Sequence, residues 1–539
     1  MTTTATHEEK QKQRGIMLVF GGLMLTMLLA SLNQTVLSTA LPTIVGELHG
    51  IDQMLWVITA FILASTIMMP VYGKLGDLFG RKSLLLIAIG IFIGGSLVGA
   101  LAPDMTWLIV ARVIQGIGGG GLMILSQATI ADVVPARERG KYMGIMGGVF
   151  AVSSVAGPLL GGWFTEGPGW RWVFWINLPI GLLAFIAAAV FLRLPKRAQV
   201  KARIDTAGMA VLAVATTTIV LFATWGGSKY AWTSPTILAL AAVSVAALVL
   251  FVFIERRAEE PVMPLHLFKD RNFNLTTVAG LLTGVAMFGA LSYLPTYLQM
   301  VTGHSATVAG LLMIPMMGGL LVTSIIAGQY VSKTGKYKKL PIAGALILAL
   351  GLFLLSTVTV GSPVWLICVY IAVMGVGLGT MMQLLVLIVQ NSFPIEEVGT
   401  ATASNNYFRQ IGATLGTAVV GSVFTSRLST LLLDRMPEAA GGTDTQSLTP
   451  GVVSQLPDAL RLPIIESYND ALTPIFLYMT PLAIIAAIIL CFVVEKPLAT
   501  SIERKDESVE GAAQNDAAAE EVAVAAVDPD DERDKVLVD

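Results

Sequence analysis

Fourteen stretches of about 20 mostly apolar residues recur along this 539-residue chain, each long enough to cross a bilayer core as a helix. They lie roughly at Gly15–Thr39, Gln53–Tyr72, Ser83–Leu101, Trp107–Thr129, Tyr142–Phe164, Trp172–Leu192 and Ala207–Ala223. The second seven are Pro235–Ile254, Asn274–Met300, Ala306–Val331, Leu340–Val360, Val364–Val389, Ala401–Phe424 and Ala471–Val494. Backbone polar groups in lipid must be satisfied within the segment, so helices are the expected form. Composition agrees: 13 % of the residues are charged, about half the share usual in soluble domains. The expected fold class is therefore an all-α integral membrane protein with fourteen transmembrane helices. The first stretch is too long for a cleaved signal peptide and reads as a span.

Orientation follows from the lysines and arginines between spans. Twenty-seven of the 34 fall on the side that holds the N-terminus, five on the other, and Arg112 and Arg409 within spans. Cytoplasmic loops carry such an excess, so both termini are expected inside, at a bacterial-type plasma membrane. The net charge of −2 hides a second asymmetry. From Glu503 to Asp539 the sequence holds thirteen acidic and four basic residues, a local charge of −9 against +7 for the rest. That Ala-rich tail without aromatics reads as disordered.

The chain also repeats itself. Gly73, Gly76 and Gly80, in Gly-Lys-Leu-Gly-Asp-Leu-Phe-Gly-Arg-Lys, follow span two; Gly328 and Gly335, at the same spacing, follow span ten. Gly116, Gly118 and Gly120 are matched by Gly375, Gly377 and Gly379, and Pro135 and Gly140 by Pro394 and Gly399. The order and near-constant offset divide the chain into two six-helix halves, 15–193 and 272–494, around a two-helix insert, 194–271. The N-terminal segment 1–14 and the tail 495–539 flank them. Duplicated halves with a site between them describe a secondary transporter.

The loop at 73–82 resembles the signature of the major facilitator superfamily between its second and third helices. There it acts as a latch that stabilises the outward-facing state, and Gly73, Asp77, Gly80 and Arg81 match it; the second copy has Ser332 at the acid position. From the residues alone, Asp77 can cap a helix start and attract Arg81, while Arg81 and Lys82 anchor the loop at the membrane face. Leu108–Gly118, with Arg112 and Gln115, resembles the family's fourth-helix motif, whose arginine is implicated in proton coupling. Gly148, with Gly157-Pro158 nine residues on, resembles the fifth-helix motif of exporters, and Trp170–Pro179 resembles the start of the sixth helix in the fourteen-helix drug:proton antiporters. One position departs: where that branch usually carries an aspartate in the first helix, this chain has Asn33.

None of the 36 acidic residues falls inside an expected span, so the membrane holds two arginines and no carboxylate. Arg112 enters about 8 Å from one face and Arg409 about 12 Å from the other. A cation that deep needs water, carbonyls or a partner, and Asn33 is placed to accept from Arg112. Coupling protons without a membrane carboxylate would fall to Asp77, Asp132 or Glu166 at the span edges, with Arg112 and Asn33 as further candidates. Polar residues on the central spans form the candidate cargo site: Asn33, Gln34, Gln115, Tyr293, Tyr297, Gln299, Gln383, Asn405, Asn406, Arg409 and Gln410. Met123, Phe288, Met381 and Met382 supply adaptable apolar walls. Such a cavity suits neutral or anionic lipophiles better than permanent cations.

An enzyme is disfavoured: the four histidines lie in tails or loops, and no phosphate-binding loop with its lysine is present. Two isolated cysteines build neither a disulfide scaffold nor a metal site. No metal, cofactor or nucleic acid is expected; the expected partners are membrane lipids, a small lipophilic substrate and protons, for a monomer. The function these features imply is proton-coupled export of drug-like compounds, with a lipid or amino-acid translocator of the same fold as the alternative. The outer segment 425–470 reads as a connector with a short amphipathic helix near Leu456–Tyr468, and the insert as a spacer.

Overall fold

The computed structural model describes residues 2–50, 53–192, 194, 204–227, 229–435, 452–453 and 456–500. The acidic tail beyond residue 500 lies outside the described residues. Among them are fourteen helices long and apolar enough to span a bilayer. We number these α1 (Gly15–Glu47), α2 (Met54–Phe79), α3 (Arg81–Ala100), α4 (Met105–Val133), α5 (Ala136–Glu166), α6 (Trp172–Phe191) and α7 (Thr206–Trp225). The rest are α8 (Pro235–Glu255), α9 (Arg271–Thr302), α10 (Val308–Thr334), α11 (Lys339–Ser356), α12 (Val364–Gln390), α13 (Val398–Arg435) and α14 (Asp458–Cys491).

Several ends differ from the expected spans. Helix α13 runs on to Arg435 and α14 begins at Asp458, so most of the expected outer loop 425–470 is helix. The amphipathic piece near Leu456–Tyr468 is the first part of α14, not a separate helix. As a result Glu466 and Asp470 lie within a long helix. Glu255 ends α8 and is buried, 3 % exposed, its carboxylate accepting the Met263 N–H at 3.3 Å. The expected exclusion of acids from the membrane helices therefore needs correcting at these ends.

Three spans are also interrupted. Breaks fall at Ile176 in α6, at Ser292–Tyr293 in α9 and at Leu312–Met313 in α10. Pro179, Pro295 and Pro315 follow them closely. Proline lacks the N–H that would continue the ladder, and it disfavours helical geometry in the residue before it.

The contact pattern repeats between the halves. Helix α1 packs on α5 and α6, α2 on α4, and α3 on α4 and α6; in the second half α9 packs on α13 and α14, α10 on α12, and α11 on α12 and α14. The halves meet chiefly through two corresponding pairs, α2 with α13 and α5 with α10, with lesser contacts of α4 on α13 and α5 on α12. The repeated glycines sit in these seams. A Cβ on Gly73 would lie 2.8 Å from the Gly399 carbonyl oxygen, and one on Gly328 would run into the Gly140 carbonyl. The insert breaks the symmetry: α7 packs on α13 and α2, covering one seam only. Helix α8 lies outside it, with Leu238, Val245, Val249 and Phe253 exposed as a lipid-facing stripe.

A gated cavity between the halves

The closest contacts between the halves lie at the face that holds the excess of lysine and arginine, termed the basic face. Asp77, near the end of α2, does not cap its own neighbour α3, as local reading expects. Its Oδ2 accepts from the Thr400 N–H at 2.6 Å and the Thr400 hydroxyl at 2.8 Å, and its Oδ1 from the Gly399 N–H at 3.2 Å. It thus caps α13 in the other half, where the first N–H groups lack helical partners and carry positive potential. Arg81 is not an interfacial anchor either. It is 1 % exposed, paired to Asp77 at 2.7 Å and Asp132 at 2.9 Å, and donates to the Ile395 carbonyl at 3.2 Å. Two carboxylates and two carbonyls offset its desolvation. Lys82 caps the C-terminal end of α6 at the same face, donating to the Ala189 carbonyl at 2.7 Å.

The second seam repeats this arrangement in weaker form. Ser332, at the position matching Asp77, accepts the Lys141 N–H at 3.2 Å, and Lys141 is the counterpart of Thr400. Arg137 adds bonds to the Ser332 and Lys333 carbonyls at 3.3 and 3.2 Å. A charged acceptor with three donors from the other half therefore closes one seam, and a neutral hydroxyl with one, beside the two Arg137 bonds, closes its counterpart.

From mid-bundle to the opposite face runs a cavity of about 760 Å³. Its mouth lies among Ser38, Leu55, Trp56, Trp225, Ser422 and Thr425, and Leu55 there is 69 % exposed. Its floor is a polar bridge between the halves. Asn406 of α13 donates to Gln127 Oε1 of α4 at 3.1 Å, and Gln390 of α12 to the Gln127 carbonyl at 3.2 Å. Six methionines (27, 69, 123, 146, 287 and 382) contribute to the wall, side chains able to repack around cargo of varied shape. Among the described residues the wall holds two cations, Arg112 and Arg409, and no carboxylate.

Arg112 is 2 % exposed and held from three directions. Its Nη1 donates to Asn33 Oδ1 at 2.6 Å and Gln115 Oε1 at 2.7 Å, and its Nε to the Val57 carbonyl at 3.2 Å. The Phe61 ring lies 4.2 Å from its guanidinium carbon. Gln115 in turn donates to Ser96 at 2.8 Å. These neutral acceptors orient the guanidinium and leave its charge uncancelled. Arg409 donates to Asn406 Oδ1, so the second cation is tied to the floor.

Of the expected cargo residues, Gln34, Tyr293, Gln383, Asn406, Arg409 and Gln410 line the cavity. The others do not. Asn33 and Gln115 are buried around Arg112; Tyr297 donates to Asn469 at 2.7 Å; Asn405 donates to Thr277 at 3.1 Å; Gln299 bonds the Pro295 carbonyl of its own helix. Met123, Phe288 and Met382 are in the wall, whereas Met381 is fully buried elsewhere. Asp132 pairs with Arg81 at the basic face, and Glu166 is exposed at the far end of α5. Gly157 and Pro158 lie within a continuous α5, and a Cβ on Gly157 would collide with Thr35 of α1. Sequence reasoning missed the insert: residues 223–227 line the cavity. No group of histidine, cysteine or acidic side chains able to hold a metal occurs among the described residues.

Two pseudo-symmetric helical halves, closed at one face around a central cavity, are the architecture of a membrane transporter rather than an enzyme. The chain belongs to the Major Facilitator Superfamily, whose family model matches residues 23–417. It is 35 % identical over 529 residues to the multidrug transporter protein MdtP of Bacillus subtilis, covering 93 % of this chain and 97 % of that one. It is 39 % identical over 494 residues to an uncharacterised MFS-type transporter, Rv1877, of Mycobacterium tuberculosis, covering 92 % and 72 %. The fold is shared with the human organic anion transporter MFSD10, at a TM-score of 0.60 and 15 % identity over 88 % of this chain and 99 % of that one.

Proposed function

We propose that this transporter exports neutral and anionic lipophilic compounds across the plasma membrane by alternating access, in exchange for protons. The supporting observation is the cavity: apolar and methionine-rich, with Arg112 and Arg409 in its wall and no acid among the described residues. In a low-dielectric cleft those charges favour an anion and disfavour a permanent cation. The basic face is taken as cytoplasmic by its lysine and arginine excess. The conformation described is then closed to the cytoplasm and open outward, the state from which an exporter releases its cargo. The multidrug relative supports export, and the resemblance to the drug:proton antiporters supports the coupling ion.

Protons would act through carboxylates at the helix ends. Asp77 and Asp132 share Arg81 inside the latch, so protonating either removes charge from the cluster that holds the face closed. Glu166 is the candidate on the outer side. The test is transport into inverted vesicles under an imposed proton gradient, with Asp77, Asp132 and Glu166 neutralised in turn. Gradient-dependent uptake of a neutral or anionic compound, lost in at least one variant, agrees with the proposal. Uptake that ignores the gradient, or survives all three changes, contradicts the coupling.

A further inference from the structure

Helices α7 and α8 are read from the sequence as a spacer, yet the end of α7 forms part of the cavity mouth. Trp225 of the insert and Trp56 of α2 both line it, their rings 6.0 Å apart and nearly perpendicular at 81°. Both rings are only partly buried. Large aromatic surfaces left facing an open cleft are the kind that bind planar ligands.

The turn after α7 is built rather than loose. The N–H groups of Lys229 and Tyr230 both reach the Trp225 carbonyl at 3.0 Å, and the Gly227 N–H reaches the Tyr230 carbonyl at 2.8 Å. Gly227 has φ of 71°, a left-handed conformation that a side chain would disfavour, and a Cβ there would also collide with Ser422. Trp232 donates from Nε1 to Ser422 Oγ of α13 at 2.9 Å. The turn is thus fastened to one half while its tryptophan meets the other. On it the Lys229 ammonium lies 5.1 Å from the centre of the Trp225 ring and 5.6 Å from that of Tyr230. A cation thereby lies beside the Trp225 ring.

We infer that the insert is a cargo-selecting element, whose Trp225 and Lys229 form with Trp56 a subsite for aromatic organic anions at the cavity mouth. The ring system packs against the two indoles, and its carboxylate or sulfonate faces Lys229. Trp225, Trp56 and Lys229 are then specificity residues of the export reaction, and the inference rests on the export reading above.

The experiment measures initial rates in proteoliposomes with three probes: fluorescein as an aromatic anion, coumarin as a neutral aromatic and cholate as a non-aromatic anion. Trp225→Ala should raise KM about 3- to 10-fold for fluorescein and coumarin and leave cholate unchanged. Lys229→Gln should raise KM about threefold for the two anions only, and Trp225→Phe should behave as wild type. A monodisperse profile on size exclusion shows that Trp225→Ala is folded. Equal losses on all three probes, or none, with active wild-type vesicles, overturn the subsite alone. Wild-type vesicles that move none of the probes overturn the export reading, and the subsite with it.

Discussion

Replacing Asp77 by asparagine should open the basic face. The carboxylate accepts three bonds across the seam, two of them on Oδ2 from Thr400 at 2.6 and 2.8 Å. An asparagine keeps one acceptor oxygen and sets an NH₂ against donors. Hydrogen bonds to a charged group contribute about 1.5–3 kcal/mol, and charge at a helix N-terminus about 0.3–1 kcal/mol more. With the Asp77 side chain 6 % exposed, solvent screening is slight. The closed state should lose about 3 kcal/mol, roughly a 100-fold shift in the open-to-closed ratio. Ser332→Ala removes one neutral bond, about 1 kcal/mol and about fivefold. Spin labels at Phe79→Cys and Glu396→Cys, in a background with Cys368 and Cys491 replaced, would report by pulsed electron resonance the distance between the end of α2 and the turn that leads into α13. A longer distance should dominate in Asp77→Asn and be minor in Ser332→Ala. An unchanged distribution in Asp77→Asn, or equal shifts in both, would refute the charged latch.

Other perturbations test the rest of the account. Arg112→Lys should cut vesicle transport at least about tenfold with little change in thermal stability, because an ammonium cannot replace the branched guanidinium that reaches Val57, Asn33 and Gln115 together. Asn33→Asp should pair with Arg112 and lower the cavity's charge by one, so uptake assays should show cationic dyes gaining and anions losing. Gly144→Leu should abolish export while leaving a monodisperse protein on size exclusion, since any Cβ there meets the Ser324 carbonyl and keeps the α5–α10 seam from closing.

The spans were legible because length and hydropathy suffice to find them; their ends were not. Residues 425–435 and 458–470 are polar enough to read as a loop, yet they continue helices beyond the apolar core. The repeated glycines were legible as a duplication, and the structure adds why they recur: Gly73 meets Gly399 and Gly328 meets Gly140 in equivalent seams. Asp77 was legible as a capping residue, but its helix begins more than 300 residues later, beyond any local pattern. The cavity wall was half legible. Neighbours on a helix point about 100° apart, so Gln34 and Asn406 face the cavity while Asn33 and Asn405 face other helices. Helices apolar on every side carry no stripe from which to fix that phase. The insert's place at the mouth depends on how α7 docks on α2 and α13, which spacing in the chain does not encode.

The central claim is that a cavity with two uncancelled arginines selects against permanent cations. Its most direct measurement is transport by purified protein in proteoliposomes, with neutral, anionic and cationic lipophiles of matched size under one proton gradient. The account predicts that neutral and anionic compounds move and that ethidium moves at least about tenfold more slowly. Ethidium exported as fast as the neutral compound would contradict it.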